Sequence, residues 1–349
     1  MRKLLNQLHF RYSMSTEQIM QCKVIFNAVA AFSFGAVTTL ASTPSLAQSG
    51  AYPNKPIELV VTTSAGSGGD VVSRAVAEII RREKFLPQLL TVNNRTGGAS
   101  IIGYNYFKTK RGDPYVMMST TGTLLLMAYR ADVNIGLENY TPLALFAIDP
   151  QTIMVRADSP YKTFKDLMEA VRREPESLVG ATTSASGTGR MIIYLMEKQV
   201  PGAKIKFVTF KGGSEAVTSV AGGHTTFTTE NLSEGLSFVE SKKLRVLAIT
   251  ADKRLPQAAD VPTLQELGYS ITAGTMRGFS FPAAVPKEAV VTMETALKKV
   301  HDSPAWKEFA QRNIFEDVFL GSAEFTQFLN KRMLQYKDFY EAIGLNKRQ

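Results

Sequence analysis

The sequence predicts an α/β protein built from mostly parallel sheets with helices on both faces, arranged in two domains. Three observations carry that expectation. Short β-rich runs alternate with stretches of helical periodicity along most of the chain. The length of 349 residues corresponds to about two domains at roughly 150 residues each. Glycine-rich loops stand between a predicted strand and a predicted helix at three places, the usual connection in such folds. With 44% apolar and 20% charged residues, 25 Gly and 15 Pro, the composition excludes collagenous, low-complexity and disulfide-rich classes. A mean hydropathy of −0.05 argues against a multi-span membrane protein.

The elements begin with an export signal. Val24–Leu40 is apolar and uncharged, follows Arg2, Lys3, Arg11 and Lys23, and leads to the small-residue sequence Ser45-Leu46-Ala47. This grammar predicts a cleavable signal peptide over 1–47. Asn27, Ser33, Gly35, Thr38 and Thr39 make the segment a poor spanning helix, since a bilayer asks for about 20 predominantly apolar residues. Removing 47 residues from 349 leaves 302. The single cysteine, Cys22, leaves with the signal, and the net charge falls from +9 to +6. Only His224 and His301 then remain of the histidines, which leaves little for a zinc site or a His-based relay. No metal and no cofactor are expected.

The mature chain opens on Ile57–Thr62, a β-rich run, followed by the loop Ser64–Asp70. Val72, Val76, Ile79 and Ile80 then recur at helical spacing, and Asp70 is placed to cap that helix. Strands follow at Leu89–Val92 and Tyr115–Ser119, with a glycine loop at Asn93–Ser100 between them. Thr163–Glu174 starts on a Thr cap with Asp166 at the third helical position and stops before Pro175. Strand-like runs recur at Leu178–Ala181, Ile205–Phe210, Thr225–Thr229 and Leu244–Thr250. The tail reads as three helices, Lys287–His301, Ser303–Arg312 and Ser322–Ile343. The apolar stripe of the last, from Phe325 through Leu329, Tyr336 and Phe339, is a core-packing face.

The informative chemistry lies in the loops Ser64–Asp70, Thr182–Arg190 and Lys211–Ser214, with Ser119–Gly122 as a fourth candidate. Each offers glycines, small hydroxyls and the unpaired N–H groups of a helix start, which attract carboxylate or phosphate. In open α/β sheets the crevice beyond the strand ends is where ligands sit. Taken together the loops point to a small anionic ligand.

Enzyme readings fit less well. Val71 stands where a dinucleotide fingerprint needs its third glycine, and no Gly-Lys-Ser/Thr P-loop occurs. Ala65–Gly69 resembles a variant nucleophile elbow around Ser67, which keeps a secreted serine hydrolase as the alternative from another class. His224, in a glycine turn, and His301, at a helix end, are read as solvated or structural. The basic runs Lys108–Arg111 and Lys242–Arg245 are short and lack interleaved aromatics, so no nucleic-acid surface is expected.

At this point a set of strings in order and spacing becomes specific: YPNKPIELVV from Tyr52, GSGGD with Arg74 one turn later, NNRTGGAS at Asn93–Ser100, ADSPYKTFKDL at Ala157–Leu167, FKGGSEAVTSVAGGH at Phe210–His224, LRVLAITADKRLP at Leu244–Pro256, DVPTLQELG at Asp260–Gly268, RGFSFPAAVP at Arg277–Pro286, and SPAWKEF before Gly321. In these the chain resembles the substrate-binding receptors of the tripartite tricarboxylate transporter family, from about Tyr52 to Leu345.

The resemblance implies a type 2 periplasmic binding fold. Lobe one would be discontinuous (48–150 and 275–349) and lobe two would span 151–274, with crossing strands near Asp149–Val155 and Ala273–Phe281. It implies a non-enzymatic, monomeric periplasmic receptor that closes like a clamshell on a small organic anion. That anion would be a di- or tricarboxylate, an aromatic acid or an acidic amino acid, delivered to membrane transporter subunits. An orphan receptor serving a sensor is a further possibility. The site residues expected on this basis are Ser64, Ser67, Gly68, Gly69, Asp70, Thr120, Thr121, Ser186, Thr188, Lys211, Gly212 and Arg277. Ser67, Gly68, Gly69 and Thr188 would hold one carboxylate through backbone N–H and hydroxyl groups, and Asp70 would cap the first helix and orient the loop. Arg277 would either pair with a second carboxylate or form an inter-lobe salt bridge. Thr63-Ser64-Ala65 replaces the family's Pro- and aromatic-rich first loop, Thr225-Thr226 replaces an apolar residue and Asp, and the Thr182–Thr188 loop carries extra hydroxyls. These departures bear on ligand identity more than on fold.

Overall fold

The computed structural model describes residues 51–98, 100–129 and 135–345. The expected signal peptide over 1–47 lies outside the described residues.

A six-stranded sheet has the order β11-β4-β10-β3-β1-β2. Its strands are β1 (Ile57–Val61), β2 (Leu90–Asn94), β3 (Val116–Thr120), β4 (Tyr140–Pro150), β10 (Gly274–Pro282) and β11 (Glu316–Leu320). β1 pairs in parallel with both β2 and β3. This central position explains its unbroken apolar sequence: Ile57 and Leu59 enter one core and Val60 the other, all fully buried. α1 (Gly68–Glu83), α8 (Lys287–Asp302) and α9 (Pro304–Arg312) cover one face through Val72, Val76, Met293, Leu297 and Trp306. α2 (Ile101–Lys108), α3 (Thr123–Met127) and α10 (Ser322–Ala342) cover the other through Tyr104, Phe107, Leu125 and Phe325.

The second sheet has the order β7-β6-β8-β5-β9, formed by β5 (Thr152–Arg156), β6 (Val179–Thr182), β7 (Lys206–Thr209), β8 (Phe227–Thr228) and β9 (Leu244–Ile249). Its helices are α4 (Phe164–Arg173), α5 (Thr188–Gln199), α6 (Gly213–Ala221) and α7 (Leu232–Glu240). α4 opens on the expected capping box. The Asp166 N–H donates to the Thr163 hydroxyl at 3.1 Å, and the Thr163 N–H donates to the Asp166 carboxylate at 2.8 Å.

The pairing is more mixed than strand–helix alternation alone predicts. β6 pairs in parallel with β7 and β8, but β10, β4, β11, β5 and β9 add antiparallel pairs. The reason is that the chain passes twice between the sheets. β4 leads directly through Gln151 into β5, and β10 returns beside β4 with Thr275 opposite Asp149. The Thr250 hydroxyl pins both passages: it lies 2.8 Å from the Gln151 carbonyl oxygen and 2.5 Å from that of Ala273. The Asn231 amide donates to the carbonyls of Asp149 (2.9 Å) and Pro150 (3.2 Å).

The three tail helices form as expected. α10 is tied to the six-stranded sheet and to a helix of the other: Ser322 Oγ donates to the Pro142 carbonyl on β4 at 2.6 Å, and Lys198 of α5 meets Asp338 at 3.0 Å.

Candidate functional site

A cleft of about 290 Å³ collects strand ends from both sheets. From the six-stranded sheet come Gly68 at the start of α1, Thr121 and Gly122 after β3, and Thr275 and Arg277 on β10. From the other come Thr183–Gly189 after β6 and Glu230, Asn231 and Glu234 after β8. Gln151 lies at the passage between them, and Tyr336 and Tyr340 of α10 close one side. This is the crevice that open α/β sheets offer beyond the carboxyl ends of their strands. Larger recesses of about 770 Å³ (at Val208, Phe210 and Thr218) and about 600 Å³ (at Met191, Leu195 and Tyr269) gather no strand ends from both sheets.

Two helix N-termini reach the cleft. α1 begins at Gly68, where a Cβ would stand 2.5 Å from Arg277 Nη2, so only glycine lets the guanidinium lie against the first turn. α5 begins at Thr188 and Gly189. A Cβ on Gly189 would stand 2.7 Å from the Thr229 hydroxyl, again leaving the backbone close to its neighbours. Gly122 approaches the Thr188 hydroxyl across the cleft, and that hydroxyl is 3.4 Å from the Tyr336 hydroxyl.

The charged groups are unevenly satisfied. Arg277 Nη2 donates to Asp149 Oδ2 at 2.5 Å, with both side chains nearly buried. Burial pushes the Asp149 carboxyl up, and the guanidinium opposes this. Glu230 is 3% exposed, and its Oε1 has no hydrogen-bond partner. Burial first, and then the charge of Glu234, push its carboxyl up to about 8, while Thr182 and Thr183 act in the opposite sense. Glu234, at the exposed mouth, is also raised, by desolvation and by Asp149. Gln151 is 4% exposed, and its side-chain oxygen is likewise unpartnered.

Glycine loops at strand ends, two chain passages and a polar cleft between two sheets accompany a match of residues 72–345 to the model of the tripartite tricarboxylate transporter family receptor. The chain belongs to this family. Its fold is the two-lobed α/β fold of periplasmic binding proteins. A Cupriavidus necator relative, the UPF0065 protein in gbd 5'region, is 27% identical over 316 residues, covering 89% of this chain and 94% of that one. The structure of a TctC solute-binding protein from Polaromonas superposes with a TM-score of 0.74 at 27% identity, covering 83% of this chain and 99% of that chain. An R. palustris protein solved with adipate has a TM-score of 0.73 at 20% identity, covering 84% and 99%, and shares the fold.

Within this family receptor, the structure brings Gly68, Thr121, Ser186, Thr188 and Arg277 together at the cleft. Other expected residues are placed beside it. Ser64 is exposed, and its carbonyl accepts the Ser67 N–H. Ser67 Oγ is 2.5 Å from Thr63 Oγ1, so the hydroxyl read as a possible nucleophile faces another hydroxyl. Gly69 is buried against Ser119. Thr120 is fully buried and bonded to Ser280 Oγ at 2.8 Å. Lys211 and Gly212 are absent from the cleft lining: they follow β7, the edge strand, whereas the crevice opens beyond β6 and β8.

Two roles need correction. Asp70 is not the N-cap of α1. That position is Ser67, and Asp70 sits in the first turn, where its carboxylate accepts from the Gly66 N–H, Arg74 Nε and Asn94 Nδ2, each at 2.9 Å. The Arg277 salt bridge is not inter-lobe: its partner Asp149 lies on β4, the neighbouring strand of the same sheet.

Sequence reasoning passed over Gln151, Glu230, Asn231, Glu234, Tyr336 and Tyr340. The sequence marks a strand at Thr225–Thr229, and the residues directly after a strand's carboxyl end line the crevice. That rule, applied without requiring glycine, points to Glu230 and Asn231. His301, in the last turn of α8, places Nε2 2.9 Å from Asp317 Oδ1 and packs against Phe146 and Phe319. Among the described residues no group of three or more His, Cys, Asp or Glu is placed to hold a metal ion.

Proposed function

We propose that this receptor captures a small carboxylate between lobe one (48–150 with 275–349) and lobe two (151–274), and delivers it in the cell envelope to the membrane subunits of a tripartite tricarboxylate-type transporter. The observation that carries the reading is the convergence of the α1 and α5 N-termini, at Gly68 and at Thr188–Gly189, on one cleft. N–H groups at both helix ends, helped by the Thr121, Ser186 and Thr188 hydroxyls, would hold the carboxylate from opposite lobes. Such a ligand favours the closed arrangement because only closure lets both ends touch it. The Gln151 and Ala273 passages pinned by Thr250 are where the hinge would bend. The bound adipate and malate of two structural neighbours belong to those proteins, and agree with a carboxylate as the class to test.

The test is a thermal-shift screen of the mature chain against dicarboxylates, tricarboxylates, aromatic acids and amino acids. A ligand at 100 times its Kd adds about 2.7 kcal/mol to the stability of the folded state. A melting temperature unmoved by the whole panel would overturn the reading.

A further inference from the structure

Resting on the carboxylate reading above, we infer that the ligand is a zwitterion: its carboxylate sits at the N-terminal turns of α1 and α5, and its protonated amine donates to Glu230, which makes Glu230 the specificity-determining residue.

The inference starts from two buried side-chain oxygens without a partner, Glu230 Oε1 (Thr182 and Thr183 reach the same carboxyl) and Gln151 Oε1. Glu230, 3% exposed, lines the cleft with Oε1 unpartnered, and Gln151, 4% exposed, presents an unpartnered side-chain oxygen to the same space. They sit side by side in the fold. The Thr152 N–H and hydroxyl both donate to the Glu230 carbonyl at 2.9 Å, and Gln151 bridges to Asn231. A buried acceptor left unpaired is costly, so a ligand bringing N–H donors to this point relieves a cost already present in the empty protein.

Charge points the same way. Among the described residues lining the cleft, Arg277 is the one cation; its Nη2 is held by Asp149 at 2.5 Å, while its Nε is a buried donor without a partner. With that pair neutral overall, Glu230 and Glu234 remain. A ligand's second carboxylate would add negative charge beside Glu234 and hold Glu230 in its protonated form. An ammonium reverses the sign of that interaction. The cleft thus has one electropositive corner, the helix ends at Gly68 and Thr188, and one electronegative floor at Glu230. That polarity matches a molecule carrying one carboxylate and one amine. Rejecting an analogue without the amine follows from the same geometry, because it would leave the buried carboxylate unpaired.

The experiment is titration calorimetry of the mature chain with ligands of matched skeleton: propionate, β-alanine and succinate as one set, glutarate and glutamate as another. The expected result is at least tenfold tighter binding of the amine-bearing member over its amine-free partners. Glu230→Gln should weaken the amine-bearing ligand at least tenfold and strengthen the amine-free acid. Succinate and glutarate binding the native protein as tightly as β-alanine and glutamate would overturn the zwitterion and leave carboxylate capture standing. Binding of none of the five would overturn the zwitterion, and carboxylate capture is then decided by the wider thermal-shift panel. The native-protein comparison needs no variant, so a poorly folding Glu230→Gln would not spare the inference.

Discussion

Two loops follow parallel strands and lead into cleft-side helices, and each carries a buried acid: Asp70 after β1 and Glu230 after β8. Asp70 has its acceptor capacity used locally, by the Gly66 N–H, Arg74 and Asn94, and these partners, Arg74 first, hold its carboxyl below the usual range. Glu230 is equally hidden from solvent but keeps an unpaired oxygen facing the cleft, and its carboxyl is pushed up to about 8. The difference separates a carboxylate that builds the loop from one that waits for a partner. Burial is the same for both, and the difference lies in the partners: Asp70 has a guanidinium among its donors, whereas Glu230 is reached only by Thr182 and Thr183 and keeps one oxygen unpaired.

Asp149 stands between these cases and supplies the largest test. It is buried like Glu230 yet paired with Arg277. Arg277→Ala removes the partner and leaves an uncompensated buried charge, which costs about 3–5 kcal/mol. Chemical denaturation near neutral pH should register the loss. Because burial raises the Asp149 carboxyl, acidification neutralises the stranded group, and the deficit should shrink at lower pH. An Arg277→Ala protein as stable as its parent would mean that the pairing with Asp149 is energetically idle.

The next effect is the pH dependence of Glu230 itself. Its folded carboxyl titrates near 8 against a reference of 4.5. Between those values the folded protein retains a proton that the unfolded chain has released, so stability falls as pH rises through that window. Each pH unit there is worth about 1.4 kcal/mol, so the empty protein loses several kcal/mol, on the order of 4, by pH 8. Glu230→Gln carries no charge to desolvate. It should raise the ligand-free melting temperature above pH 8 and flatten the profile between pH 5 and 8. A profile of unchanged slope would show that Glu230 already has a partner.

Asp70→Ala should act in the opposite direction. It removes the acceptor of the Gly66 N–H, Arg74 and one Asn94 bond, while Asn94 keeps the Thr63 carbonyl at 3.0 Å; a loss of about 1 kcal/mol is expected at neutral pH, fading in acid as the parent's own carboxyl is protonated. Opposite signs for Asp70→Ala and Glu230→Gln are what the contrast between the loops requires.

The two loops also differ in how well the sequence announced them. The β1–α1 loop carries Gly66, Gly68 and Gly69, and the β6–α5 loop carries Gly187 and Gly189. Glycine marks close backbone approach, so these walls of the cleft were legible, as were the capping box at Thr163 and the three tail helices. The β8–α7 loop carries Thr229, Glu230 and Asn231 instead. Its function lies in side chains whose burial and lack of partners exist only once β5 and β8 are paired. Lys211 and Gly212 illustrate the converse, since a glycine turn after an edge strand is indistinguishable in sequence from one beside the crevice. β4 was hidden because Pro142 interrupts its start, and β11 because the five residues of Glu316–Leu320 are too short for a period to stand out.

The smallest expected effect belongs to Ser67, the residue whose sequence context best suits a nucleophile. Its hydroxyl faces Thr63 Oγ1 at 2.5 Å and makes no side-chain bond to the first turn of α1. As an N-cap without a capping bond, Ser67 gives the helix less than the usual contribution, so Ser67→Ala should cost about 0.5–1 kcal/mol at most. Asp70 explains why the loop tolerates that change: its bonds to Gly66 and Asn94 hold the turn where a Ser cap would otherwise be needed. A nucleophilic serine needs a base within hydrogen-bond reach, and the side-chain partner of Ser67 is the Thr63 hydroxyl, which is no base, while His301 sits in the last turn of α8 beside Asp317. Ester probes incubated with the parent and with Ser67→Ala should therefore give equal, background turnover. Hydrolysis by the parent that disappears in the variant would overturn the assignment of this loop to ligand capture.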